Sequence, residues 1–198
     1  MVAVLISIKP KWCQKIAEGL KTIEVRKSKP KIQVPFKCYI YCTQGFGKNT
    51  FNVPIPFGRI RDDYIETGSM VSLNCPIGNG KVIGEFICDH VYQCTTANHL
   101  DGTDISIEEV AKKSCLSLIE LEQYELSAEP KENCIYKIGL YGWRISDLKI
   151  YDKPLELSKF VGLRNTKFGY EPGSIKNAPQ SWRYVETQKK SDTPADQS

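Results

Sequence analysis

The sequence predicts an α+β fold, a small and partly open β-barrel with helices packed at its ends. The chain has 198 residues, of which 41% are hydrophobic and 25% charged, so it can form one domain with a real core. This composition excludes a wholly disordered protein. Short β-branched segments and short amphipathic segments follow in the order β-α-β-β, then β-α-α-β-β. Short strands joined by long crossings are typical of small barrels.

Local patterns predict the first three elements. Residues 3–8 are apolar, β-branched and bounded by Lys-Pro, which indicates a buried strand. Residues 11–20 place their apolar side chains at helical spacing, and Gly19 is suited to a left-handed cap at the end of that helix. Residues 22–26 alternate between polar and apolar, which predicts a second strand.

The rest of the chain is less regular. Residues 36–42 and 81–91 are predicted to be strands, and Gly84 indicates a bulge or a close approach. Residues 43–80 lack a clean period, so we expect one domain over 1–186 with a long insertion there. The remaining expected elements are helices at 106–113 and 117–124, each with capping-box spacing, strands at 134–140, 144–151 and 180–186, a turn at 158–161, and a disordered tail at 187–198.

Cysteine usage and hydropathy indicate a cytoplasmic protein. The sequence contains no stretch of about 18 apolar residues, so we expect no membrane span. Residues 1–8 lack the charged start of a signal peptide and lead directly into Lys-Pro-Lys, which favours a first strand. The eight cysteines form no CxxC pair and lie mostly in apolar runs, which predicts free, buried thiols in a reducing compartment.

One set of side chains could be drawn as a zinc site, namely Cys88, His90, Cys94 and His99. Their spacing lacks the close pairs of structural zinc sites, and Cys88 and His90 fall on one face of a strand. No residue near a cysteine suggests an activated thiolate. We therefore expect no metal, no cofactor and no catalytic cysteine.

Charge is distributed unevenly along the chain. The formal net charge is +4, but residues 1–37 carry nine basic and two acidic side chains, whereas residues 89–132 carry three basic and ten acidic ones. A basic block attracts phosphate groups, so charge alone makes a nucleic acid or nucleotide one expected partner. The alternative is that the two blocks lie against each other or are simply solvated.

The segment GLKTIEVR at residues 19–26 concentrates charge at the start of a strand. Period two places Glu24 and Arg26 on one face with Thr22, and Lys21 stands at the strand mouth. Such a face could line a polar cleft, where Arg suits phosphate, Lys supplies a point charge and Glu accepts from a nucleobase amino group. The alternative is an exposed strand with an ordinary Glu–Arg pair, which contributes little in water.

The tryptophans and ten tyrosines include candidates for stacking on nucleobases. Most aromatic side chains on strands are expected in the core. Trp182, in the run Gln-Ser-Trp-Arg-Tyr, is the best stacking candidate, and Arg183 beside it is a candidate phosphate contact.

The segment GLKTIEVR matches the GxKxxExR signature of the ASCH domain family, whose fold resembles the PUA domains of RNA-modifying proteins. The preceding LISIKPKWCQKIAEG, the GKVIGEF strand and the IYKIGLYGWRISDLKIY ending are similar to the layout of that family. The closing PQSWRYVE resembles the ends of ASCH proteins often seen in phage and bacterial genomes. The resemblance spans about residues 1–186 and is weakest over 43–80.

The resemblance implies a PUA-like barrel that binds RNA or nucleotides in the cleft beside the signature. We therefore expect a partner that is RNA or a modified nucleoside, with the loop lysines on phosphates. The expected nucleic-acid contacts are Lys21, Glu24, Arg26, Lys27, Lys29 and Lys31, together with Trp182 and Arg183.

The resemblance also implies two enzymatic alternatives, an amidohydrolase acting on N4-acetylcytidine and a ribonuclease. In the amidohydrolase branch a Lys, a Thr and a distant Glu act together. Lys21 matches the Lys, Glu24 stands at the Thr position, and Glu120 is the best match for the Glu, with Glu122 as the alternative.

That departure from the amidohydrolase pattern changes the chemistry. A carboxylate cannot replace a hydroxyl nucleophile, so water would attack, with Glu24 or Glu120 as general base and Lys21 stabilising the oxyanion. Thr22 offers an alternative hydroxyl. A further alternative is a non-catalytic protein-interaction module.

Overall fold

The computed structural model of the protein describes residues 1–44, 78–96, 104–127 and 139–188. Within these ranges the chain forms strands and helices in mixed order, as the predicted α+β class requires. Their bounds are β1 (Val2–Ile8), α1 (Pro10–Ala17), β2 (Ile23–Arg26), β3 (Phe36–Cys42), β4 (Val82–Cys88), β5 (Val91–Cys94), α2 (Ile107–Ser114), α3 (Leu118–Leu126), β6 (Leu140–Arg144), β7 (Ser146–Leu155), a short 3-10 helix (Leu157–Lys159), β8 (Val161–Thr166), β9 (Gly169–Ser174) and β10 (Trp182–Glu186).

In the described part of the chain the strands form two sheets, and neither closes into the predicted β-barrel. One sheet has the order β7-β4-β3-β1-β10-β8-β9, and the other has the order β2-β6-β5. The larger sheet ends at β7 on one side and at β9 on the other, with no pairing that closes it among the described residues. The β8–β9 hairpin extends that sheet beyond β10, and β2 pairs with β6 in the separate sheet instead of continuing the larger one.

The chain divides into two compact units. The first unit holds the described residues of 1–17, 39–85 and 149–198, and the second holds those of 18–38 and 86–148. Each unit has an apolar cluster of its own. That residues 1–186 form one domain stays a prediction.

In the first unit, β1 pairs antiparallel with β10, from Val2 opposite Glu186 to Ile6 opposite Trp182. Strand β1 is buried on both faces over residues 3–8, which explains its continuous apolar sequence. The cluster on one face of this sheet comprises Ala3, Leu5, Tyr39, Tyr41, Val82, Tyr151, Leu155, Phe160, Ile175 and Val185.

In the second unit, the three-stranded sheet packs one face against α2 and α3. The central strand β6 places Trp143 opposite Glu24 of β2, and Gly142 opposite Val25. Gly142 admits the close approach of its neighbours, because a Cβ there would lie 3.0 Å from a methyl carbon of Ile23. The apolar cluster of this unit comprises Ile23, Val25, Cys94, Ile105, Val110, Leu121 and Leu140.

Several local expectations are confirmed. Gly19 has a φ of 73°, the left-handed conformation that ends a helix. Ser117 and Glu120 form a complete capping box on α3, and Ser106 caps α2 by accepting from the backbone N–H of Glu109. The close approach predicted at Gly84 is present, because a Cβ there would meet the backbone carbonyl of Lys149.

Other boundaries differ from the predictions. The segment expected as one strand over 81–91 is two strands, since β4 ends at Cys88 and β5 begins at Val91. The strand expected over 144–151 begins at Ser146. Three expected parts lie outside the described residues, namely most of the insertion, residues 134–138 of the strand expected over 134–140, and the tail beyond 188. In the described part of the chain, the helices are too short or too polar to cross a membrane.

Candidate nucleic-acid interface

The second unit holds the three signature side chains together at β2. The ammonium of Lys21 lies 3.2 Å from one carboxylate oxygen of Glu24, and the guanidinium of Arg26 lies 2.9 Å from the other. We call these three residues the Lys21–Glu24–Arg26 triad. The adjacency that period two predicts for Glu24 and Arg26 is therefore present, and one carboxylate bridges two cations.

Backbone hydrogen bonds fix the position of the triad. The N–H of Thr22 donates to the carbonyl of Lys113 in α2, and the carbonyl of Thr22 accepts from the N–H of Ile145. Lys21 donates from Nζ to the carbonyl of Ser114 at 2.9 Å. Ser114 is the last residue of α2, where carbonyls lack helical partners and the helix dipole favours a cation.

The triad is buried. The side chains of Lys21, Glu24 and Arg26 are 2%, 8% and 10% exposed. Glu24 and Arg26 share a strand face with the fully buried Trp143, whose ring meets Phe36 edge-on at 5.8 Å. The exposed Glu–Arg pair, one of the two alternatives that the sequence left open, therefore does not describe this environment. Buried charges of this kind are stable only when they are paired and hydrogen-bonded.

Two tyrosines adjoin Arg26. Tyr141 lies directly opposite Arg26 in the β2–β6 register. The guanidinium of Arg26 donates to the hydroxyl of Tyr124. Burial, and to a smaller extent the Glu24 carboxylate, raise the pKa of Tyr124, while Arg26 lowers it. The hydroxyl of Tyr124 therefore stays protonated at neutral pH and can donate a hydrogen bond.

The basic loop after β2 places lysines over these same rings. The ammonium of Lys27 lies 4.8 Å from the ring centre of Tyr124 and donates to the hydroxyl of Ser127 at 2.8 Å. The ammonium of Lys29 lies 5.4 Å from the ring centre of Tyr141. We call Lys27, Lys29, Tyr124 and Tyr141 the loop–ring surface. Lys31 is exposed further along the loop.

The predicted acidic residue of α3 has a structural position. Glu120 accepts from the N–H of Ser117 at 2.8 Å and from its hydroxyl at 2.9 Å. It therefore caps the helix, and the alternative Glu122 is exposed on the same helix. A catalytic role for either carboxylate stays a prediction.

Trp182 and Arg183 belong to the first unit. Trp182 meets Tyr184 at a ring distance of 5.4 Å and an angle of 72°. Arg183 points to the other face of β10, where its guanidinium covers Gly162. The two residues thus do not present one joint surface.

Sequence reasoning missed Glu125, which is buried on α3. Its carboxylate accepts from the hydroxyl of Thr95 and from the N–H of Thr96, each at 2.7 Å. Glu125 comes four residues after Leu121, so both side chains lie on the same, inward face of α3. That spacing could have indicated from the sequence that Glu125 is buried. Burial first, and then the Glu125 carboxylate, raise the pKa of the Cys94 thiol to about 12.

The six cysteines of the described ranges are free thiols, and all but Cys115 are buried. Burial likewise raises the pKa of Cys88 to about 12. Thiols with such values are protonated at neutral pH, so they are not nucleophiles. This agrees with the prediction of free, buried cysteines.

Comparison with known proteins gave matches among solved structures, whereas no protein-family model and no curated protein matched. The chain is similar to the crystal structure of ASCH from Zymomonas mobilis, with 16% identity and a TM-score of 0.46 over 93% of this chain and 87% of that one. Crystal structures of two point mutants of the same protein match with the same identity and TM-score, over 90% and 88% of their chains. All three are structures of an ASCH protein, and ASCH is the family whose signature residues 19–26 resemble. A TM-score below 0.5 carries neither site nor function over to this chain.

Proposed function

We propose that the chain binds single-stranded RNA or a nucleotide through the loop–ring surface. The observation that carries this proposal is that Lys27 and Lys29 each lie over a tyrosine ring, and that both rings adjoin Arg26. Single-stranded nucleic acids are held by the same two elements, cations for the phosphates and aromatic faces for the bases.

The charge of the loop fits a polyanionic ligand. Residues 26–37 contain five basic and no acidic side chains. Lys27, Lys29 and Lys31 can neutralise phosphates one by one, which releases counterions and makes binding weaken as salt rises. The half-exposed Tyr124 and Tyr141 supply ring faces within reach of the same ligand.

In this proposal the triad supports the loop–ring surface and does not touch the ligand. Both carboxylate oxygens of Glu24 are already engaged by cations, and Lys21 is tied to the end of α2. Arg26 connects this buried network to Tyr124. The geometry therefore favours binding over hydrolysis, and the amidohydrolase, ribonuclease and protein-interaction alternatives stay predictions.

The test is a titration of fluorescein-labelled oligouridine, followed by anisotropy between about 50 and 300 mM NaCl. The slope of log K against log salt should become shallower by about 0.7 for each phosphate that the protein no longer neutralises, so by about 1.4 in the variant Lys27→Gln, Lys29→Gln. Lys112→Gln removes the same kind of charge from the exposed side of α2 and is the matched control.

Ring removal is the second arm. Tyr141→Leu keeps apolar bulk but removes the stacking face, and we expect about tenfold weaker binding. Wild-type protein without affinity at low salt, or a double lysine variant with an unchanged slope, would overturn the proposal. Release of acetate from N4-acetylcytidine by the wild type would replace it with the amidohydrolase function.

A further inference from the structure

The β8–β9 hairpin of the first unit exposes aromatic side chains that sequence reasoning did not place. The sequence predicted only a turn at 158–161 in this part of the chain. In the structure, Phe168 at the hairpin tip is 85% exposed and Tyr170 on β9 is 36% exposed. A single exposed apolar side chain is normal on a protein surface, so Phe168 and Tyr170 indicate an interaction surface only together with a second feature that identifies the partner.

The exposure of Phe168 is built into the turn. The hydroxyl of Thr166 donates to the carbonyl of Gly169 at 2.9 Å and accepts from the N–H of Phe168 at 3.2 Å. Gly169 has a φ of 117°, which favours glycine at this position. Thr166 and Gly169 also pair across the hairpin, so the two turn residues between them are held outward.

The exposed rings continue into a row along the sheet. Tyr170 meets Tyr184 at 5.2 Å, and Tyr184 meets Trp182 at 5.4 Å, both with ring planes 72° apart. Tyr184 is buried and Trp182 is half-buried, so the exposed ring of Tyr170 packs against a ring that is itself held in place. The row thus offers a rigid aromatic edge at Tyr170, close in sequence to the tip ring of Phe168.

Charge identifies the kind of partner. Residues 157–183 carry five basic side chains and one acidic side chain. Lys167 lies with its ammonium 4.9 Å from the ring centre of Phe168. The single carboxylate, Glu171, stands opposite Arg164 in the β8–β9 register, which leaves Lys167 as the cation beside the exposed ring. The basic residues are Lys159, Arg164, Lys167 and Lys176, all exposed, and the half-buried Arg183.

We propose that Lys167, Phe168 and Tyr170 form a second binding surface, for a single-stranded polynucleotide. Bases stack on the two exposed rings, and Lys167 contacts the adjoining phosphate. Stacking tolerates any sequence because every base has an aromatic face. This surface lies in the first unit and does not rest on the loop–ring surface, so the two proposals can fail separately.

The experiment measures binding of labelled oligouridine and of labelled oligothymidine by anisotropy. Phe168→Ala is made both in the wild-type chain and in the Lys27→Gln, Lys29→Gln chain. In each background we expect it to weaken oligonucleotide binding at the hairpin about tenfold. Phe168→Leu is expected to weaken it as much, because leucine keeps apolar surface without a ring. Val161→Ala, an exposed apolar residue of β8 away from the rings, is the control. All of these side chains are solvent-exposed, so circular dichroism should report an unchanged fold.

The two oligonucleotides distinguish the sources of the ligand. Equal binding supports the proposal with no sugar contact, and binding of oligouridine alone supports it with recognition of the 2′-hydroxyl. Wild-type affinity in both Phe168 variants, or in Phe168→Leu alone, overturns the stacking surface. The latter outcome would indicate an apolar contact that needs no aromatic ring. Failure of the lysine variant to change binding, while Phe168→Ala does, overturns the proposed function and leaves this one standing.

Discussion

Replacing Glu24 by glutamine tests the energetics of the triad. Glu24→Gln keeps the shape of the side chain and removes its charge, which leaves the ammonium of Lys21 and the guanidinium of Arg26 buried beside a neutral amide. The charge pairs at 3.2 and 2.9 Å are worth about 5 and about 6 kcal/mol at an effective dielectric constant of about 20. Since the side chains are at most 10% exposed, solvent screens these pairs little.

The net cost is smaller than the Coulomb energies, because the amide still accepts hydrogen bonds and the site relaxes. Removing one partner of a buried pair costs about 3–5 kcal/mol, and we expect that range for Glu24→Gln. At an m-value of about 2 kcal/mol/M, the urea midpoint should fall by about 2 M.

Tryptophan fluorescence can follow the relevant unit. Trp143 lies opposite Glu24 in the second unit, whereas Trp12 and Trp182 belong to the first. In a background with Trp12→Phe and Trp182→Phe, the emission therefore reports unfolding of the second unit alone.

Two further variants control the experiment. Glu109→Gln breaks the exposed pair with Lys113 on α2, and we expect little change in the midpoint. Replacing all three triad residues with apolar ones, Lys21→Met, Glu24→Leu and Arg26→Met, should cost far less than Glu24→Gln, because no unpaired charge remains. If Glu24→Gln behaved like Glu109→Gln, the reasoning about a buried, mutually dependent triad would be refuted.

Three other outcomes are expected. Gly84→Ala should destabilise the protein by about 1–3 kcal/mol in urea unfolding, since the new Cβ meets the carbonyl of Lys149, and an unchanged midpoint would contradict the close approach. Ser117→Ala should cost about 1 kcal/mol because the helix cap is removed, and a thermal scan showing no decrease would argue against the cap. The pKa of Cys88 is raised, so its protonated thiol contributes stability that is complete below pH of about 9 and disappears as pH rises toward 12. Iodoacetamide at pH 8 should therefore label Cys115 well before Cys88 in peptide maps, and equal rates would contradict the burial.

Local chemistry made much of the fold predictable. Strand β1, helix α1 with its left-handed Gly19, and the serine-capped helices each depend on residues close together in sequence. The β8–β9 hairpin was missed because β9 reads GYEPGS, with two glycines and a proline and no apolar alternation. The predicted barrel failed for a related reason, since strand pairing between distant segments decides whether a sheet closes.

The candidate site shows the same division. Period two correctly predicted that Glu24 and Arg26 would be neighbours. Their burial could not be predicted, because it depends on Trp143 and on the end of α2 at Ser114, both far along the chain. The tyrosines that adjoin Arg26 come from α3 and β6, and only the folded chain brings them to the basic loop.

The most direct test of the proposed function is where RNA touches the protein. Oligouridine containing 4-thiouridine can be photo-cross-linked to the full chain, and the modified peptides can be identified by mass spectrometry. We predict cross-links at Tyr124 or Tyr141 that disappear in the Lys27→Gln, Lys29→Gln variant. Cross-links that avoid both tyrosines and persist in that variant would contradict the proposal that the loop–ring surface binds RNA.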